Sequence, residues 1–122
     1  MTLEVNQSVV LGALRSCRFT FNTERELQDG IAQALQSAGI EFKREQSLST
    51  TDRPDFLIGS IAIEVKVKGS LASVTRQIHR YMLYEEVSCL ILVTACASHH
   101  NLPRIINHKP VALYSLIMEN AF

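Results

Sequence analysis

A chain of 122 residues is long enough for one domain with its own apolar core, so it needs no disulfide or metal staple to fold. Its three cysteines (Cys17, Cys89 and Cys96) form no C-x-x-C and are odd in number, which argues against a disulfide framework. Twelve basic and twelve acidic residues cancel to a formal net charge of zero, which counts against strong, sequence-indifferent binding to nucleic acid.

The opening M-T-L-E-V-N-Q-S has neither the basic start nor the apolar core of a signal peptide, and no apolar run is long enough to span a bilayer. A cytoplasmic location with no membrane partner is the expectation. Residues 1–22 read as an N-terminal extension. Within it, Ser8 is a candidate cap for a short helix through Val9, Val10, Leu11, Leu14 and Cys17, and R-F-T-F a short extended segment.

Thr23-Glu24-Arg25-Glu26 opens a helix that Gly39 would stop. At about 100° per residue, Leu27, Ile31, Ala34, Leu35 and Ala38 form one stripe with Glu24 near its middle, while Glu26 points almost the opposite way. Glu26 also stands three residues after Thr23, the capping-box spacing. Ile40 to Leu48 reads as a strand with weak alternation, with Glu45 exposed on an edge. In the polar loop Ser49 to Arg53, Arg53 is placed to bind phosphate or to pair with Asp52. Pro54 suits the first position of a strand, where its missing N–H matters least.

The informative stretch is R-P-D-F-L-I-G-S-I-A-I-E-V-K, Arg53 to Lys66. Two β-rich runs joined by Gly59-Ser60 predict a hairpin with a type I′ or II′ turn. If Ile58 faces Ile61, then Phe56 faces Ile63 and Asp55 faces Glu64. Phe56, Ile58, Ile61, Ile63, Val65 and Val67 then share an apolar face, with Asp55, Glu64, Lys66 and Lys68 on the other. Like charges directly opposite, with Cβ atoms about 5 Å apart, are destabilising. A divalent cation between them, a raised pKa on one, or the nearby Lys66 would compensate. Mg²⁺ suits such a pair, because it takes oxygen ligands and keeps waters and substrate phosphate in its shell. A solvated charged face on an ordinary hairpin is the plain alternative.

Pro54-Asp55, eight intervening residues, then Glu64-Val65-Lys66 resembles the signature of the PD-(D/E)XK nuclease superfamily, over roughly Thr23 to Thr94. That superfamily includes restriction-type endonucleases, Holliday junction resolvases and virus-type replication-repair nuclease domains. The resemblance implies an α/β fold with a restriction-endonuclease-like core, αβββαβ, in which a mixed central sheet is flanked by helices. It also implies a Mg²⁺- or Mn²⁺-dependent phosphodiesterase. In that reading Asp55 and Glu64 hold the metal, with the Val65 carbonyl as a further ligand, and Lys66 orients the attacking water. The acidic residue that resolvases carry on the preceding helix falls on Glu24, with Glu26 as the other candidate.

Gly69-Ser70 ends the strand of Lys66, and Ser70 caps a helix from Leu71 to about Val87, with Val74, Ile78, Tyr81 and Glu85 on one face. The Gln or Lys that many superfamily members place on this helix falls on Gln77. Arg76 and Arg80, one turn apart, make a basic ridge that joins Lys66, Lys68 and His79 in a local patch, with Arg53 a further phosphate contact. Cys89 to Thr94 is a continuous apolar run, expected as a strand covered on both faces and parallel to that of Lys66. Cys89 and Cys96 are expected as buried thiols. Ser98-His99-His100-Asn101 lacks zinc spacing and reads as a solvated loop pair. Residues 95–122 supply a connector with helical character (Pro103 to Lys109), a last strand (Val111 to Ser115) and an apolar tail from Leu116 that docks on the body or a second subunit.

The expectation is therefore a metal-dependent DNA endonuclease. By the same analogy it is directed to structures or ends such as junctions, flaps and nicks; the modest affinity that a zero net charge implies makes a homodimer the expected form. No glycine-rich loop suggests an NTP. A non-cleaving nucleic-acid-binding or assembly module with the same fold is the alternative, and an α/β protein whose hairpin charges all lie on the surface is a third reading.

Overall fold

The computed structural model describes residues 5–119. The elements run α1 (Gln7–Arg15), α2 (Glu24–Ser37), β1 (Lys43–Arg44), β2 (Phe56–Ile58), β3 (Ile61–Lys66), α3 (Leu71–Tyr81), β4 (Cys89–Thr94), β5 (Ile105–Ile106), β6 (Lys109–Ser115) and the short α4 (Leu116–Glu119). A 3-10 turn, Ala97–Asn101, lies between β4 and β5.

The central hairpin takes the register its sequence predicts: Ile58 faces Ile61, Leu57 faces Ala62 and Phe56 faces Ile63. Gly59 carries φ +59° and Ser60 no positive φ, the II′ pattern that lets a two-residue link follow the strand twist. β3 then pairs parallel with β4, and β4 parallel with β6, in a mixed six-stranded sheet of order β1-β2-β3-β4-β6-β5.

Both faces of this sheet are covered. Phe56, Ile58, Ile61, Ile63 and Val65 pack with Ile91 and Val93 against α2 (Leu27, Ile31, Leu35) and α1 (Val10, Ala13, Leu14). The opposite face, with Ala62, Leu90, Leu92 and Val111, packs against Val74, Ile78 and Tyr81 of α3. Burial on both sides explains why C-L-I-L-V-T shows no alternation. Residues 7–15 thus contribute to the core, and α1 is capped by Asn6, whose side chain accepts from Val9 N at 3.0 Å, rather than by Ser8.

Several elements depart from their sequence expectation. The strand expected over Ile40 to Leu48 shrinks to two residues, because its only neighbour, β2, is three residues long and Glu45 turns away at φ +53°. α3 ends at Tyr81 instead of near Val87, so Glu85 lies outside it. After it, i→i−3 bonds such as Leu83 N to Arg80 O tighten the chain, and Ser88 N reaches Ser60 O at 2.9 Å, which starts β4 level with β3. The connector before the last strand contains β5, joined to β6 by Asn107 and His108 at φ +54° and +63°. Leu116 is buried in the core as the start of α4, and residues 120–122 of the expected tail lie outside the described residues. Cys17, Cys89 and Cys96 are free and half-buried, so the expectation of buried thiols at 89 and 96 is corrected.

The histidine pair is not solvated either. His99 is fully buried, with Nδ1 2.7 Å from Thr94 Oγ1 and Nε2 2.8 Å from the Gly69 carbonyl. A carbonyl only accepts, so Nε2 carries the proton and Nδ1 accepts from Thr94. His100 Nε2 meets Ser115 Oγ at 2.7 Å. His99 therefore pins the loop after β3 to the end of β4. His99→Ala is expected to lower stability by about 2–4 kcal/mol through the cavity and the orphaned Gly69 carbonyl. Urea denaturation at constant m would check this, and an unchanged midpoint would contradict it.

Candidate active site

Pairing between β2 and β3 stops at Phe56 and Ile63. The next pair, Asp55 and Glu64, therefore stands at the open end of the hairpin, on the face covered by α3. Asp55 Oδ2 accepts the Val65 N–H at 2.8 Å, and Glu64 Oε1 accepts the Asp55 N–H at 3.2 Å. Each carboxylate is thus tied to the backbone of the other's strand. Lys66 is two residues beyond Glu64 on the same face, with Nζ 3.5 Å from Glu64 Oε2. Val65, whose N–H is the donor to Asp55, lies between Glu64 and Lys66 at this same end of β3.

The electrostatics are costly. Glu64 is only 3% exposed. Burial, then the Asp55 charge, push its carboxyl up to about 8, against the pull of Lys66. Burial also raises Asp55, to about 6, with Glu24 and Glu45 adding repulsion against the Val65 N–H and Lys66. Two ionised carboxylates are disfavoured in this space while Lys66 is the only cation in contact with Glu64 among the described residues.

The two glutamates of α2 separate as their helix positions predict. Glu26 completes a capping box with Thr23, accepting the Thr23 N–H at 3.0 Å while Thr23 Oγ1 accepts the Glu26 N–H at 3.1 Å. Glu24 turns inward and its Oε1 accepts the Val67 N–H at 3.2 Å. It acts on Asp55 through charge and reaches the site around the sheet end, from the face opposite α3.

Tyr81 is the residue that sequence reasoning placed in the apolar stripe of α3 without assigning it to the site. Its hydroxyl receives a hydrogen bond from Gln77 Nε2 at 3.0 Å. It faces two acceptors at 3.3 Å, Glu64 Oε1 and the Arg53 carbonyl. Burial, then the Glu64 charge, raise the phenol's pKa and keep it a donor. Gln77 therefore joins the site through Tyr81. The helical i, i+4 spacing was the available signal. Tyr81→Phe is expected to cost about 1–2 kcal/mol and to raise the Glu64 pKa further, since a donor to its charged form is lost. Carboxyl NMR titration of the metal-free protein would check this, and a lowered Glu64 midpoint would contradict it.

Of the expected phosphate contacts, Lys68, Arg76 and Arg53 are exposed. Arg80 is engaged: its Nε meets the buried Asp52 Oδ1 at 3.0 Å, so Asp52 pairs with Arg80 and not with the adjacent Arg53.

Set against models of known protein families, curated proteins and solved structures, the chain matches none. Chemistry alone must then say what the site takes. Among the described residues no three His, Cys, Asp or Glu side chains form a ready-made metal cage. A hard cation that keeps most of its water needs fewer: Mg²⁺ is commonly held by one or two carboxylates plus substrate oxygens. Asp55 and Glu64 offer that set, and Asp55 Oδ1 takes no hydrogen bond among the described residues. A buried and a half-buried carboxylate that repel each other when ionised, with one free oxygen, fit such an ion.

Proposed function

We propose that this protein is a Mg²⁺- or Mn²⁺-dependent DNA endonuclease of the PD-(D/E)XK type. The observation that carries the reading is the pair of half-buried Asp55 and buried Glu64 at the open end of the hairpin, with the Lys66 ammonium 3.5 Å from Glu64. The order α2-β1-β2-β3-α3-β4, with an antiparallel hairpin and a parallel β3–β4 pair, supports a restriction-endonuclease-like core.

A bound divalent ion supplies Lewis-acid stabilisation of the phosphate and a lowered pKa for its water. Asp55, Glu64 and the Val65 carbonyl are the groups that would hold it, with Glu24 contributing directly or through water. Lys66 places a positive charge where the attacking water and the developing phosphate charge need it. Gln77 and Tyr81 fix the Glu64 carboxylate from α3. Lys68, Arg76 and Arg53, with the exposed remainder of Arg80, are the groups for the DNA backbone. A formal charge of zero makes that contact modest, and a homodimer would strengthen it. Branched or nicked DNA is the substrate class by analogy with resolvases and repair nucleases.

A second reading has its own support. Glu64 finds Lys66, Tyr81 and the Asp55 N–H within the chain, so a non-cleaving nucleic-acid-binding or assembly module would hold this carboxylate without a metal. The deciding experiment is cleavage of linear, flapped, single-stranded and four-way DNA with Mg²⁺, Mn²⁺ or EDTA. The nuclease reading expects metal-dependent cuts leaving 5′-phosphates that disappear in Asp55→Ala and Glu64→Ala. DNA binding without any cutting would favour the module.

A further inference from the structure

A part of the chain outside the D…E-x-K set bears on where Asp55 sits. Asp52 is a charged residue only 5% exposed, on the loop leading into β2. The Tyr84 hydroxyl donates to its Oδ2 at 2.7 Å and Arg80 Nε to its Oδ1 at 3.0 Å. Its carbonyl accepts from Leu48 N at 2.8 Å, and its own N–H bonds Ser49 Oγ at 3.1 Å, which closes the loop on itself. One residue later the Arg53 carbonyl lies 3.3 Å from the Tyr81 hydroxyl, whose single proton it shares with Glu64 Oε1 at the same distance. The lead-in is thus fastened to α3 and the turn after it at two successive residues.

Only Pro54 separates this fastening from Asp55. Pro54 is buried and its ring fixes φ, so little slack lies between them. Ladder pairing between β2 and β3 does not extend to Asp55, whose carbonyl accepts from Glu45 N at 3.0 Å and whose N–H and carboxylate reach Glu64 and Val65. A buried charge held by two side chains is a costly arrangement to keep for packing alone, and this one sits directly before Asp55.

The geometry points to Asp52, clasped by Arg80 and Tyr84, as the positioning residue that holds Asp55 against β3 and opposite Glu64. Its meaning for catalysis rests on the nuclease reading; its effect on Asp55 does not.

The test uses Asp52→Asn in the full chain, which keeps shape and removes charge. Hydrogen exchange of the metal-free protein reads the Val65 N–H, which Asp55 Oδ2 accepts, against Leu92 inside β4 as the internal control. The expected result is a loss of Val65 protection of tenfold or more relative to Leu92, with Mn²⁺ affinity weakened at least fivefold by calorimetry and kcat reduced at unchanged KM for DNA. Equal losses at Val65 and Leu92 would mean general destabilisation and would overturn the proposal. Unchanged Val65 protection, or unchanged Mn²⁺ affinity beside a lost Val65 bond, would overturn it too. If the wild-type protein takes no Mn²⁺, the nuclease reading fails, and the amide result alone decides the clasp. Should Asp52→Asn fail to fold, Tyr84→Phe, which removes a single hydroxyl from the same clasp, is read by the same criteria.

Discussion

In EDTA, the wild-type protein is expected to lose stability as the pH rises from 5 to 8.5, and Glu64→Gln to lose much less. Asp55 and Glu64 hold their protons to about pH 6 and about pH 8 when folded, mainly because burial disfavours the charged forms. In the unfolded chain both ionise near pH 4. Between those limits the folded state binds more protons than the unfolded one, so stability is greatest at the acid end of the window and falls as pH rises through the folded values. At about 1.4 kcal/mol per pKa unit, and allowing for relaxation around a coupled pair, the fall is about 2–5 kcal/mol. Glu64→Gln removes the larger contribution and at pH 8 should equal or exceed the wild type. Saturating Mn²⁺ should flatten the wild-type profile as well, since an ion that binds only the folded state offsets the repulsion. Urea midpoints across the pH series would show it. A profile that is flat, or that rises with pH in EDTA, would contradict the site's electrostatics.

Lys66→Ala is expected to act on stability and activity together. Its ammonium contacts Glu64 and lowers the pKa of both carboxylates. Without it the ionised pair has lost its contacting cation, so the pH-dependent fall should begin from a more alkaline Glu64 titration and deepen by about 1–3 kcal/mol at pH 8, with a smaller effect at pH 5. On the nuclease reading proposed above, cleavage should drop by about 10²–10⁴-fold, the range for losing a positioned charge or proton-handling group. Lys66→Arg separates the two effects. It restores positive charge, and with it most of the pH profile, but its planar fork does not reproduce a compact ammonium at the water site, so activity should stay low. An alanine variant that cuts DNA at the wild-type rate would remove Lys66 from the mechanism.

How much of this was legible beforehand depends on the range of the interactions. The hairpin was readable because Gly59-Ser60 and period-two alternation are local and together fix the register, whose continuation brings Asp55 level with Glu64. The split between Glu24 and Glu26 followed from one helical turn and a capping box. The fastening around the pair was not readable. Tyr81 reaches Glu64 across 17 positions and Arg80 reaches Asp52 across 28, and neither contact leaves a local pattern. A tyrosine at a stripe position reads as core whether or not its hydroxyl finds a carboxylate. His99 misled in the other direction, because two adjacent histidines in a polar stretch resemble a loop, while the Gly69 carbonyl that receives one of them comes from 30 positions away. The Asn107-His108 turn was missed although both residue types are enriched at positive φ, because no glycine marks it and the strand before it is only two residues long.

The central claim is that Asp55 and Glu64 share one divalent cation, and calorimetric titration of Mn²⁺ into the wild type, Asp55→Asn and Glu64→Gln tests it most directly. Binding by the wild type that weakens at least tenfold in each variant, while both remain folded, is the result expected. Wild-type binding that persists unchanged in both variants, or no binding at all, would contradict it.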